Sequence, residues 1–189
     1  MKYSSGLYHR RSIRLKGYDY SKAGFYFITI CVKDRKCMFG EIVKDKMELN
    51  MAGIMVKNEW INITNRFPNV HLHQFVVMPN HFHAILEILV GATLVVAPDN
   101  LVAPDNKGAT TRVAPTRTVG DIVGAFQSIV TVEYIHGVKN HGWVSFDGKL
   151  WQRNYYEHII RNEKSYQRIS DYIVNNPSNW DEDKFFHID

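Results

Sequence analysis

The sequence predicts an α+β fold: a central, mainly antiparallel sheet flanked by helices. Three observations carry that expectation. Apolar runs of strand length interleave with segments of helical period. Two of the strand-like runs are joined by only Met78-Pro79-Asn80, far too short for a parallel crossover. The 189 residues are 45% hydrophobic and 13% aromatic, enough for one sizeable core and too apolar for wholesale disorder. The chain is expected to form a single domain over residues 1–189, broken by a flexible, repeat-rich insertion at about 89–118.

Phe25-Tyr26-Phe27-Ile28-Thr29-Ile30-Cys31-Val32 is β-branched and aromatic throughout and predicts a buried strand. Gly40 to Leu49, with Lys44-Asp45-Lys46 at its middle, predicts a hairpin or an exposed strand. Asn50 is a plausible cap for a helix to about Asn65, with Ile54, Trp60 and Ile61 turned inward, and Pro68 stops it. Val70 to Val77 and His81 to Ile88 predict two strands.

The next stretch repeats itself. Gly91-Ala92-Thr93 recurs as Gly108-Ala109-Thr110, and Val-Ala-Pro-Asp-Asn occurs at 96–100 and again at 102–106. Three prolines there exclude a helix or central strand, so a duplicated surface loop is expected. Beyond it, apolar residues at 119, 122, 123, 126, 129, 130 and 134 mark a helix capped by Thr118. Trp143 to Trp151 predicts a hairpin or short strands around Asp147-Gly148. A last helix is expected from about Asn162 to Asn176, ended by Pro177.

Composition removes several function classes. No apolar run reaches the roughly 18 residues of a membrane span, and MKYSSGLYHRR lacks a signal-peptide core, so a cytoplasmic protein is expected. Cys31 and Cys37 are too few for a disulfide framework or a cysteine zinc site. The net charge of +4 is modest but unevenly placed. Lys2, Arg10, Arg11, Arg14 and Lys16 precede any acid, whereas Asp181, Glu182 and Asp183 crowd the far end. A basic arm interleaved with Tyr3, Tyr8, Tyr18 and Tyr20 fits a polyanion, and equally a solvated tail. No glycine-rich phosphate loop, Cys-x-x-Cys or Gly-x-Ser-x-Gly occurs.

The residues able to do chemistry are few. On a strand, His81 and His83 share one face while Phe82, Ala84, Leu86 and Ile88 share the other, and two adjacent imidazoles can hold one divalent metal. His71-Leu72-His73 repeats the pattern, so spacing alone does not select between the pairs. On the last helix Ser165, Ile169, Tyr172 and Asn176 form one stripe. A tyrosine there could be a nucleophile and an amide oxygen a ligand, or the two could simply pack and end the helix.

Val77-Met78-Pro79-Asn80-His81-Phe82-His83 resembles the HUH single-tyrosine transposases, specifically the REP-associated tyrosine transposases. Three other segments agree in order: Gly24-Phe25-Tyr26-Phe27-Ile28-Thr29, the run from Leu150-Trp151-Gln152-Arg153 to Arg161-Asn162, and Asp171-Tyr172-Ile173-Val174-Asn175-Asn176-Pro177. The resemblance spans nearly the whole chain except the repeats. It implies a ferredoxin-like (RRM-like) HUH fold, with His81, His83 and Asn176 as metal ligands and Tyr172 as nucleophile; His71 and His73 are not carried over. Tyr155, Tyr156 and Tyr166 compete nearby, but only Tyr172 has the amide four residues on.

The implied activity is metal-dependent nicking and rejoining of single-stranded, REP-like hairpin DNA through a 5′-phosphotyrosine, with Mg²⁺ or Mn²⁺ as cofactor. Arg10, Arg11, Arg14 and Lys16 are then expected to contact the DNA of a nucleoid-associated protein that is a monomer or homodimer. Two other readings stay open at this point. One is a catalytically silent hairpin-binding protein of the same fold, since the insertion directly follows the HUH strand. The other is a metal-dependent phosphodiesterase with no covalent step.

Overall fold

The structure is a computed structural model that describes residues 17–89 and 117–186. The basic arm with Arg10, Arg11, Arg14 and Lys16, and the repeats within 90–116, lie outside the described residues. Among the described residues no helix is long and apolar enough to cross a membrane.

A four-stranded, wholly antiparallel sheet forms the centre. It contains β1 (Gly24–Cys31), β4 (Val70–Val77), β5 (His81–Ile88) and β6 (Tyr156–Ile160) in the order β4-β5-β1-β6. The hairpin of β2 (Gly40–Val43) and β3 (Lys46–Leu49) stands apart as a second sheet. Lys44 and Asp45 turn it with φ of 49° and 62°, the two left-handed residues that a tight two-residue hairpin requires.

Side-chain alternation divides the sheet into two unlike faces. Tyr26, Ile28, Ile30, Phe82, Ala84, Leu86 and Ile88 pack with α1 (Met51–Ile61) and α2 (Val119–His141) into the main core. Phe27, Ile85 and Ile160 meet Ile169 and Ile173 of α3 (Glu163–Asn175) in a smaller core on the other side.

The helix caps follow the sequence. Asn50 accepts from the Gly53 amide at 2.9 Å, Thr118 and Asp121 form a capping box, and Asn162 accepts from the Ser165 amide. Two expectations need correction on packing grounds. Helix α1 buries Ala52, Gly53, Val56 and Trp60, while Ile54 and Ile61 are exposed. The rotation is set by the close approach of Gly53 to the Phe39 carbonyl, where a Cβ has no room. Residues 143–151 form no hairpin: the segment is irregular up to a single bridge between Val32 and Trp151. It is held by side chains instead, with Tyr134 Oη donating to the Val144 carbonyl at 3.0 Å and Trp151 Nε1 to the Gln127 carbonyl at 3.2 Å.

Helix α2 runs seven residues beyond Tyr134, to His141, and ends where Gly142 takes φ 68°. Gly137 lies inside it because a Cβ at that position would overlap the Trp143 ring. Alanine is the better helix former by about 1 kcal/mol, but overpacking costs about 1–3 kcal/mol. Gly137→Ala is therefore expected to lower stability by up to about 2 kcal/mol in urea unfolding. A gain would show that Trp143 moves freely.

Candidate active site

His81 and His83 open β5, the strand that follows the Met78-Pro79-Asn80 turn. Both are essentially fully buried on the α3 face, and their Nε2 atoms face each other at 3.0 Å. Each ring is held from behind. Asn80 donates its amide hydrogens to the carbonyls of Arg35 and Phe185, both at 2.9 Å. Its Oδ1 is thereby left to accept from His81 Nδ1–H at 2.9 Å, which makes His81 Nε2 a bare lone pair. Thr29 Oγ1 meets His83 Nδ1 at 2.8 Å in the same supporting role. Aromatic rings enclose the pair: Phe27 stacks on His83, with centroids 5.3 Å apart, and Trp180 and Phe185 flank His81.

Helix α3 brings the remaining groups. Tyr172 Oη lies 3.2 Å from His83 Nε2 and donates to Asp183 Oδ2 at 3.2 Å. The residue as a whole is 39% exposed. Asn176, at the C-terminal cap of α3, is buried and donates Nδ2–H to the same Asp183 oxygen at 2.8 Å. Its Oδ1 is buried without a hydrogen-bond partner. Pro177 does not force the preceding residue out of helical geometry; Asn176 stays at φ −58°, ψ −41°. The chain tightens there into the 3₁₀ turn Pro177–Glu182, which delivers Asp183 to the site.

Sequence reasoning missed Asp183. It stood in an acidic cluster that reads as solvated surface, and only the turn after Asn176 sends the third acid inward. Ligand atoms of His81, His83 and Asp183 lie within 4.8 Å of one another. A buried amide oxygen with no donor, and two imidazole nitrogens aimed at each other, are the features a cation would satisfy. The residues present therefore fit a divalent metal with a mixed nitrogen and oxygen donor set.

Electrostatics agree with neutral ligands. Burial pushes both histidines below the ordinary value, and for His83 the neighbouring His81 adds to the effect. Burial raises the Tyr172 phenol well above its usual value, and the charge of Asp183 raises it further. Below about pH 6.5 the unfolded chain binds protons that the folded site refuses, so metal-free stability falls with pH by up to about 1.4 kcal/mol per unit per histidine. Urea midpoints of chelator-treated protein are expected to drop between pH 7 and pH 5. A flat profile would mean that both rings are hydrated rather than buried.

Of the competing tyrosines, Tyr155 and Tyr166 are occupied elsewhere, and Tyr156 is exposed on the edge strand β6. Tyr155 Oη donates to Glu157 Oε2 at 2.8 Å, and Tyr166 Oη meets His73 Nδ1 at 3.0 Å. His73 also meets Glu87 at 3.2 Å, and His71 is exposed, so the second His-x-His pair lies away from Tyr172.

No family model matches the chain. It is 44% identical over 188 residues to an uncharacterized protein of Haemophilus influenzae, covering 98% of this chain and 97% of that one. Among solved structures it is similar to a REP-associated tyrosine transposase bound to a REP hairpin, at 19% identity and TM-score 0.48, over 85% of this chain and 70% of that one. It is also similar to a candidate transposase of Deinococcus radiodurans, at 18% identity and TM-score 0.43, over 86% and 95%.

Proposed function

We propose that this chain, which belongs to one family with the uncharacterized Haemophilus influenzae protein, nicks and rejoins single-stranded or hairpin DNA through a phosphotyrosine at Tyr172. The observation that carries the reading is the meeting of Tyr172, from α3, with the His81–His83 pair, from β5, at 3.2 Å. Those are the residues that the transposase-like motifs single out, and 89 positions of sequence separate the tyrosine from His83.

His81 Nε2, His83 Nε2 and Asn176 Oδ1 would hold the metal, Mg²⁺ or Mn²⁺, with Asp183 as a further oxygen donor. When bound, the cation supplies a Lewis acid for a phosphate oxygen. The chain's own groups do the rest. Tyr172 Oη attacks phosphorus in line, a phenolic O–P bond forms, and the P–O3′ bond breaks. The phenol is hard to ionise where it lies, so its proton must pass to a base as the attack proceeds. Asp183 Oδ2 already accepts that hydrogen bond, and the proton ends on the leaving 3′-oxygen. A 5′-phosphotyrosine and a free 3′-OH result, and attack by another 3′-OH reseals the strand with no external energy source.

The scissile strand must be single-stranded or a hairpin foot to reach Tyr172. REP-like hairpins are the substrate class this reading favours, with Arg10, Arg11, Arg14 and Lys16 supplying phosphate contacts. Labelled hairpin oligonucleotides from the gene's own flanks test it on a denaturing gel, with Mn²⁺ or chelator. The expected result is a metal-dependent covalent band. Native-gel binding without any such band would select the silent hairpin binder, and cleavage without a band the simple phosphodiesterase.

A further inference from the structure

Two cavities, of about 440 and 450 Å³, adjoin at the β6 edge of the sheet and share Tyr156, His158 and Arg168. They form one trough. At one end are Thr29, His83 and Tyr172; the other end passes along β6 to Arg161 and Asn162. Strand β6 is the sheet edge, so no neighbouring strand closes the trough on its outer side.

The charge in the trough is one-sided away from the nucleophile. Arg161 and Arg168 are exposed, and among the described residues no carboxylate lies within ion-pair distance of either. The carboxylate lining that arm is Glu157, which is buried and turned toward Tyr155. At the junction Tyr156 is 43% exposed, with Lys184 Nζ 5.7 Å from its ring centroid. Two guanidinium groups with no carboxylate partner among the described residues, a part-exposed aromatic ring and a track leading to a nucleophile match the backbone and bases of a single strand. From Tyr156 to Arg161 the strand advances about 17 Å, the length of about five stacked nucleotides.

We propose that the single strand flanking the scissile phosphate runs along the open edge of β6, its phosphates on Arg168 and Arg161 and a base on Tyr156. The proposal rests on the function proposed above and adds the path by which the strand enters. The rival occupant of a free sheet edge is a strand from a second copy of the chain.

The test is fluorescence anisotropy in EDTA, so that no covalent step contributes. The probes are a blunt hairpin and the same hairpin with a six-thymidine flank on either end. The flank is expected to tighten binding to the wild-type protein. Arg161→Ala/Arg168→Ala is expected to weaken the flanked probe about 10-fold, to leave the blunt one within 2-fold, and to flatten the salt slope by roughly 1.4 for two lost phosphate contacts. Tyr156→Ala is expected to cost the flanked probe about 5-fold or more. Both sites are at the surface, and unchanged urea midpoints verify that the variants fold. Equal affinities for wild type and double variant overturn the path. So does a dimer that the double variant dissociates while flanked-DNA affinity stays the same, which assigns the edge to a second copy. Because binding is read without catalysis, a missing covalent band with a selective loss of flank affinity would overturn the nuclease reading and leave the track standing.

Discussion

Tyr172→Phe is expected to abolish strand cleavage, by at least about 10³-fold, with DNA and metal binding retained. The substitution removes one oxygen and keeps the ring, which packs edge-on to Phe27 at 6.2 Å and His83 at 5.2 Å. What disappears is the nucleophile, and a factor of 10³ corresponds to about 4 kcal/mol of barrier. Fold stability should change by no more than about 1 kcal/mol, because the hydroxyl is part-exposed and Asp183 keeps its bond from Asn176. The check is single-turnover cleavage, with anisotropy and calorimetry on the same preparation. Full cleavage by the variant would shift the chemistry to water.

His83→Ala is expected to weaken Mn²⁺ binding by at least about 100-fold and to remove cleavage with it. His83 is the hub of the site: it faces His81 Nε2 at 3.0 Å and Tyr172 Oη at 3.2 Å, and Thr29 supports its far nitrogen. Loss of a supporting partner alone typically costs 10–100-fold in metal affinity, so loss of the ligand should cost at least as much. The variant also leaves a buried void and an unpartnered Thr29, so a drop of about 2–3 kcal/mol in stability is expected too. His71→Ala is the control, since that exposed ring stands apart from the site and should leave Mn²⁺ binding unchanged. Calorimetric titration of Mn²⁺ into the metal-free proteins reads both. Equal affinity in His83→Ala and wild type would mean that the pair is no metal site.

Much of this arrangement was legible because period and punctuation agree. β4 and β5 fall at the bounds that their apolar runs and the Met78-Pro79-Asn80 turn predict. The caps Asn50, Thr118 and Asn162 stand where helices begin. The alternation of β5 put both histidines on one face, and the 3.6-residue period put Tyr172 and Asn176 on one side of α3. What sequence could not show depends on contacts between distant segments. The inner face of α1 follows from Gly53 meeting the Phe39 carbonyl, and the larger Ile54 and Ile61 gave the opposite impression. The apolar period carried α2 only to Tyr134; its last turns depend on Gly137 leaving room for the Trp143 ring. Asp183 beside His81 and His83, and the Asn80 bond to the Phe185 carbonyl, join the segment after α3 to the start of β5 across about a hundred residues, and no local pattern announces either.

The account stands on one covalent bond, and its position can be read directly. Trypsin cuts after Arg168 and Lys184, and the peptide 169–184 carries Tyr172 as its sole tyrosine; Tyr155 and Tyr156 fall in 154–161, and Tyr166 in 165–168. Mass spectrometry of the trapped protein–DNA adduct after nuclease and trypsin digestion is expected to find the nucleotide mass on 169–184. The same mass on 154–161 or 165–168 would contradict the assignment of Tyr172.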